Sequence, residues 1–314
     1  LFTSIRSLRL RVPTALGGPL SFAIGADEGT IEGRGDVHLL QDYDDRFAVA
    51  AGGKILSRGK RAPGWIEVGD GSRKVLACAR WFWQLYPKSL SVEGSTLSIG
   101  LCPALPDDAY TSEADRENED KLFFYLVGGR YKFKRGLEKT HEIWLAFGRA
   151  DDDLRRFIPC FMEPPIGIAP PKWYCESGAF RDVIPRDDRS FPGYERAVTK
   201  ALEAYLANRE FQREYGMLNF GDWYGERRYN WGNHEYDTTH CFLLQFVRTG
   251  DRCFFDVGEE AAWHLMDVDV IHYHADARKI GAVYAHCVGH TGDYYPRGFK
   301  PPSIPGEAIS VSHT

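Results

Sequence analysis

Between Arg149 and Arg189 the chain carries six prolines: Pro159, Pro164, Pro165, Pro170, Pro171 and Pro185. Proline has no backbone N–H to give and its ring fixes φ, so such a stretch cannot run through a helix interior or a central strand. An extended connector laid over a surface is what remains for it. It divides two textures. Residues 1–150 break into short β-type runs separated by Gly, Pro, Asp and Asn. The strand candidates are Ser4–Val12, Pro19–Ile24, Val37–Leu40, Phe47–Ala51, Trp65–Val68, Val75–Trp83, Thr96–Leu101 and Glu138–Phe147. Roughly 8–10 short strands with hairpin-like connections predict an antiparallel β-sandwich. The acidic, aperiodic stretch Asp107–Asp120 reads as an exposed loop.

Residues 151–190 form the connector and 191–314 turn helical. Tyr194–Tyr215 spaces Ala197, Val198, Ala201, Ala204, Tyr205 and Phe211 as a helix would. Tyr236–Val247 sets Tyr236, Thr239, His240, Leu243, Leu244 and Val247 on one face. Gly250 offers a C-terminal stop and Asp251 the next N-cap, leading into Phe254–Met266. That pattern is an αα-hairpin, the unit of helical toroids. The stretch after the connector is too short for a closed toroid. The expectation is therefore β then α, with a truncated second domain. A start at Leu1 without Met and an end at Ser312-His313-Thr314 read as an excised piece of a longer protein. With no recognisable signal peptide the compartment stays open, an extracytoplasmic parent being compatible.

A net charge of −5 supplies no basic field for nucleic acid or anionic membranes. No apolar run approaches the roughly 18 residues that a membrane span requires. The seven cysteines lie far apart without a CxxC, as scattered thiols do, and a disulfide among them stays open.

Asn219–His240, NFGDWYGERRYNWGNHEYDTTH, is the segment richest in chemistry. Phe220, Trp223, Tyr224, Tyr229, Trp231 and Tyr236 alternate there with Asp222, Glu226, Arg227, Arg228, Asn230, Asn233, His234 and Glu235. Buried polar groups without partners cost roughly 1–3 kcal/mol each, so an inert core would not carry this set. Aromatic faces beside guanidinium, amide and imidazole groups suit a sugar-binding cleft. The plainer alternative is a long loop pinned down by its aromatics.

Eight of the ten histidines follow residue 200. His240, one turn after Tyr236, is either a satisfied core histidine or a residue of the cleft. His272-Tyr273-His274 and His286-x-x-x-His290 each could present two imidazoles to zinc, but neither has the HExxH glutamate or a third ligand at standard spacing. No metal ligand is assigned. Gly289-His290-Thr291-Gly292-Asp293-Tyr294-Tyr295 could bring His290 and Tyr294 to a ligand, or be a plain inter-helix loop. GxSxG, phosphate-binding and dinucleotide-binding loops are absent, so no cofactor is implied. Asp222, Glu226, Glu235 and Asp237 keep glycoside hydrolysis open, although solvated surface acids are the commoner source of such a set.

The stretch Gly221–Asp251, GDWYGERRYNWGNHEYDTTHCFLLQFVRTGD, resembles the opening of the α/α toroid domain in the exo-rhamnogalacturonan lyase family, also called YetA-like. Ala79–Lys88 (ARWFWQLYPK), Thr96–Pro103 (TLSIGLCP) and Lys139–Trp144 (KTHEIW) resemble phrases of that family's central β-sandwich. Gly289–Gly292 and Ser312–Thr314 are similar to later toroid motifs.

The resemblance implies β-elimination at a galacturonate of an acidic polysaccharide or oligosaccharide. That chemistry needs a group to neutralise the C6 carboxylate, a base for the C5 proton and an acid for the leaving O4. Arg227 with Asn233 are expected as neutralisers, His240 or His290 as base, and Tyr236 or Tyr224 as acid. Trp223 and Trp231 are expected to stack on sugar rings, with Glu226, His234 and Tyr294 in further contact. A glycoside hydrolase and a non-catalytic glycan-binding module are the rival expectations.

Overall fold

The computed structural model describes residues 2–225, 231–284, 287, 289–291 and 294, with the backbone of 309–310. Two antiparallel sheets face each other. One runs Leu8–Pro13, Thr96–Cys102, Lys88–Glu93, Val37–Tyr43, Arg46–Ala51, Lys54–Gly59 in spatial order. The other runs Ile143–Arg149, Arg73–Ala79, Trp65–Gly69, Ser21–Ala26, Gly29–Arg34. Alternation drives the pairing: along Val37–Tyr43 every second residue is buried, with Leu39 inward and His38 outward. Leu39, Phe47, Val49, Leu90 and Ile99 of one sheet join Phe22, Ile24, Ile66 and Val75 of the other in one apolar cluster. Each such side chain contributes about 1.5–3 kcal/mol on leaving water. The sandwich-like expectation is met.

Every strand candidate overlaps an observed strand, and three boundaries move for identifiable reasons. Ser4–Val12 is two strands: Phe2–Ile5 enters a small third sheet with Arg130–Lys134 and Leu126–Val127, and Leu8–Pro13 forms an edge of the six-stranded one. The Val75–Trp83 candidate stops at Ala79, because Trp81 takes φ 52° and turns the chain. The strand begun at Glu138 starts at Ile143, since Thr140 is held by Asp267 instead, its N–H donating over 2.8 Å. Asp107–Asp120 is largely exposed, but its latter part includes the short helix Glu113–Arg116, capped by Ser112.

The proline-rich segment is mostly exposed and includes two short helices, Ile158–Met162 and Pro171–Glu176. Beyond it come Pro192–Gln212, Thr238–Thr249 and Arg252–His264, so the order β then α holds. Proline opens the first of these, where its missing N–H costs nothing. Gly250 ends the second at φ 68°, and the Asp251 side chain accepts the Cys253 N–H to start the third. The long helix buries only Glu195, Leu202 and Arg209, seven residues apart, as one narrow stripe. Its two charged members are paired into the hairpin: Glu195 with Arg248 at 2.5 Å and Arg209 with Glu260 at 2.8 Å.

The two halves share a second core. Tyr43, Tyr86 and Tyr131 from the β part pack with Met217, Leu218, Phe220 and Val268 from the α part. Arg80 clamps the border, its guanidinium donating to Glu142 at 2.8 Å and to Glu259 at 2.6 Å. Arg213, at the end of the long helix, pairs with Asp44. Cys78, Cys102 and Cys175 are buried thiols, while Cys160 and Cys241 are exposed. Among the described residues no helix is long and apolar enough to cross a membrane.

Candidate functional site

The aromatic–polar segment turns much of its chemistry inward. Two glycines make that possible. Gly221 sits at φ 101°, and a Cβ there would lie 2.3 Å from the Glu260 carbonyl oxygen. A Cβ on Gly232 would lie 2.2 Å from the Trp223 ring. The chain therefore presses Asp222 against the Arg252–His264 helix, while Trp223 packs flat on Gly232.

Asp222 lies at the centre of a buried polar cluster. Its carboxylate accepts the N–H of Asn233 at 2.8 Å and of His234 at 3.3 Å. Around it stand His264 and Asp269, joined to each other at 3.2 Å, and His290, whose Nδ1 is 3.3 Å from Asp222 and 3.4 Å from Asp269. His264 is the last residue of its helix, and a five-residue π-helical turn, Leu265–Asp269, returns Asp269 to its ring. The outer nitrogens are also fixed: His264 Nδ1 lies 3.1 Å from the Phe220 carbonyl, and His290 Nε2 lies 3.2 Å from Asn219 Oδ1. Asp222, Asp269 and His290 are fully buried and His264 is nearly so.

Burial disfavours charge on Asp222, yet His290, His234 and His264 outweigh it and hold the carboxyl well below the usual range. Burial likewise opposes protonation of His290, but the hydrogen bonds and charges of Asp222 and Asp269 push its pKa upward. Nine non-glycine residues have positive φ among the described ones, and Asn233, His234, Tyr236, Asp237 and His290 are five of them. Unfavourable backbone concentrated in one place is strain retained at a site, not scattered at random.

From this cluster a line of rings leads outward. Trp231 stacks on His290 at 4.8 Å, and the half-buried Tyr224 meets Trp231 edge-on at 5.1 Å. The Lys121 ammonium stands 4.7 Å from the Tyr224 ring. Burial lowers the Lys121 pKa to about 8, with Glu214 opposing. Glu214 accepts the Tyr224 N–H at 2.9 Å, and burial raises its pKa to about 7. On the other flank, Trp81 packs edge-on to Phe220 at 5.6 Å and lines a cleft of about 510 Å³ with Arg80, Trp83, Arg252 and Glu259.

The expected residues divide accordingly. His290, Asn233, His234 and Trp231 are brought together, but all are buried, so Trp231 offers its face to His290 and not to a sugar. The Asn233 amide is consumed by the carbonyls of Tyr284 and His290, both at 2.6 Å, which removes it as a carboxylate neutraliser. The Tyr294 hydroxyl is spent on the Arg130–Lys134 strand, through the Lys132 carbonyl and the Lys134 N–H. Trp223 and Tyr224 are half-buried at the outer edge. Tyr236 and His240 are exposed and outside the cluster. The helix begins at Thr238, after left-handed backbone at Tyr236 and Asp237, so the helical spacing read from Tyr236 to His240 does not exist. Arg227, Glu226 and His286 lie outside the described residues. His272 contacts the Met266 carbonyl and Glu138, His274 accepts the Asp276 N–H, and the two do not converge.

The sequence reading missed His264, Asp269, Asn219 and Lys121. For His264 a signal existed. It follows Phe254, Val257, Gly258 and Ala261 on the buried stripe of its helix, a polar residue on an apolar face.

No known family's sequence model matches the chain. It is similar to "Uncharacterized protein YetA" of Bacillus subtilis (strain 168), 26% identical over 270 residues. The match takes in 76% of this chain and 31% of that protein, so the chain spans about a third of its relative's length.

Proposed function

We propose that the chain is part of a polysaccharide lyase acting by β-elimination on a galacturonate-containing glycan such as rhamnogalacturonan. The observation that carries this reading is the line from Lys121 through Tyr224 and Trp231 to His290, which sets a cation and a phenol at the outer edge of a rigid, buried polar cluster. The resemblance of Gly221–Asp251 to the lyase family takes in Tyr224 and Trp231 of that line, and the chain is similar to an uncharacterised protein, YetA.

In this reading Trp223 supports a sugar ring at the edge. Lys121 neutralises the C6 carboxylate, which makes the C5 proton removable. Tyr224 transfers a proton, as acid to the leaving O4 or as base at C5. Glu226 and Arg227, two and three residues beyond Tyr224 in the chain, join the hydroxyl and carboxylate contacts through the resemblance. The described helices are the opening of an α/α toroid, 191–314, attached to the sandwich of 1–150 through the connector 151–190. Hydrolysis is less well supported, because Asp222 is buried and its oxygens are committed to Asn233, His234 and His290.

The test is ultraviolet absorbance of rhamnogalacturonan oligosaccharides incubated with the full-length protein. Elimination creates a conjugated uronate and a rising signal. Tyr224→Phe should slow that rise by about 100- to 10,000-fold with an unchanged melting temperature. New reducing ends under a flat trace would replace the lyase reading by hydrolysis.

A further inference from the structure

We infer that Asp222, His264, Asp269 and His290 form a closed binding site for one divalent transition-metal ion, with zinc the ion of best fit. Each offers one ligand atom, and the four atoms lie within 4.8 Å of one another. The separations carry the argument. His264 Nε2 is 3.2 Å from His290 Nδ1, 3.2 Å from Asp269 Oδ1 and 3.9 Å from Asp222 Oδ2. His290 Nδ1 is 3.3 Å from Asp222 Oδ2 and 3.4 Å from Asp269 Oδ1. Ligands at zinc distances of about 2.0–2.1 Å in a tetrahedron stand about 3.3 Å apart. Four of the six edges match that length, the His264–Asp222 edge is 3.9 Å and the Asp222–Asp269 edge lies within 4.8 Å.

Proton placement points the same way. His264 Nδ1 faces the Phe220 carbonyl and His290 Nε2 faces Asn219 Oδ1, so each ring uses its outer N–H on an oxygen. Both inner nitrogens are then left as lone pairs aimed at one point. Oxygen acceptors that fix the remote nitrogen of an imidazole are the usual support of metal-binding histidines. The hydrogen-bonded alternative puts one proton on His290 Nδ1. That single N–H would face His264 Nε2, both aspartates and Asn233 Oδ1 at 2.9 Å, four acceptors for one donor.

Two further observations are independent of the tetrahedron. Asp269 Oδ2 is buried without a hydrogen bond. His234, also buried, has neither ring nitrogen bonded, although its Nε2 points at Asp222 from 3.9 Å and its ring lies against His264. Neither carboxylate forms an ion pair with a lysine or arginine among the described residues; Lys139, paired with Asp267 at 3.2 Å, reaches Asp269 only through its charge. Two buried negative charges with an unfilled donor beside them are what a divalent cation satisfies. Nitrogen and carboxylate ligands in a tetrahedron favour zinc over calcium or magnesium, which take six or more oxygens or an octahedron. All four ligands are at most 1% exposed, so the site is closed, and the ion ties three separate stretches of chain together. The ion would replace the expectation that no residue here binds metal.

Cobalt(II) alone, added to chelator-treated full-length protein, reads the site directly. The expected result is one cobalt per chain with the intense visible bands of tetrahedral coordination, displaced by one equivalent of zinc. Asp269→Asn should abolish those bands, and Asn219→Ala should weaken affinity by about 10–100-fold. His272→Ala, a surface control, should change nothing. No uptake, a weak octahedral spectrum, or bands that survive Asp269→Asn would each overturn the site. Because the unmodified protein is measured first, a variant that fails to fold leaves the test intact.

Discussion

The sandwich and the helical half are held together by different physics. Between the two sheets the core is mainly apolar, from Phe22 and Ile24 to Leu97 and Ile99, with Gln41 the fully buried polar side chain at its edge. In the helical half the apolar contact is small, centred on Leu202, Phe246, Phe254 and Val257. Around it the buried set is charged or polar: Glu195 with Arg248, Arg209 with Glu260, and the Asp222 cluster. Apolar packing is non-directional and degrades gradually. A buried ion pair is conditional, because loss of one partner strands the other in a medium that cannot solvate it. The half that carries the candidate chemistry has thus traded tolerance for geometry.

The largest test of that contrast is Arg248→Leu. It leaves Glu195 buried and uncompensated, and should cost about 3–5 kcal/mol in urea unfolding. A cost below about 1 kcal/mol would mean that Glu195 finds another partner and that the contrast is overstated. Next comes acidity. Glu214 has an ordinary pKa of 4.5, raised by burial to about 7 in the fold. Over that window the unfolded chain sheds a proton that the folded chain keeps, so stability falls as pH rises, by on the order of 3 kcal/mol. Below the window both states are protonated; above it the loss is complete. Glu214→Gln should remove this slope from a pH series of melting temperatures. The smallest effect belongs to the sandwich: Ile66→Val deletes one methylene from an apolar core and should cost about 0.5–1.5 kcal/mol, with little pH dependence.

Legibility in the sequence follows the same division. Several strands that bury one face announced themselves by alternation, as Val37–Tyr43 does, but the central strand Lys88–Glu93 went unread because it shows only two apolar side chains, Leu90 and Val92. Gly29–Arg34 and Lys54–Gly59 went unread because they are edge strands, with exposed or half-buried residues throughout and no apolar face to display. In the helical half, Gly250 and Asp251 were readable because caps are local chemistry. The cluster was only half readable. Asp222, Asn233, His234 and His290 stood in motifs rich enough to draw notice and His264 showed as a polar residue on an apolar stripe, whereas Asp269 arrives through a π-helical turn that no local pattern encodes. Tyr236 and His240 failed for a related reason. Periodicity was projected two residues too far upstream, across backbone that is left-handed. Lys121 comes from a short helix some hundred residues away from Tyr224, and only the fold joins them.

Arg80 sets a limit on modularity. Its backbone N–H bonds to the Glu142 carbonyl, its side chain reaches both Glu142 and Glu259, and it is nearly buried. Grafting either half onto a foreign neighbour would leave that guanidinium facing a surface never shaped for it, with Glu259 stranded on the far side of the seam. The connector looks like the natural place to divide the molecule, yet the seam that matters runs elsewhere.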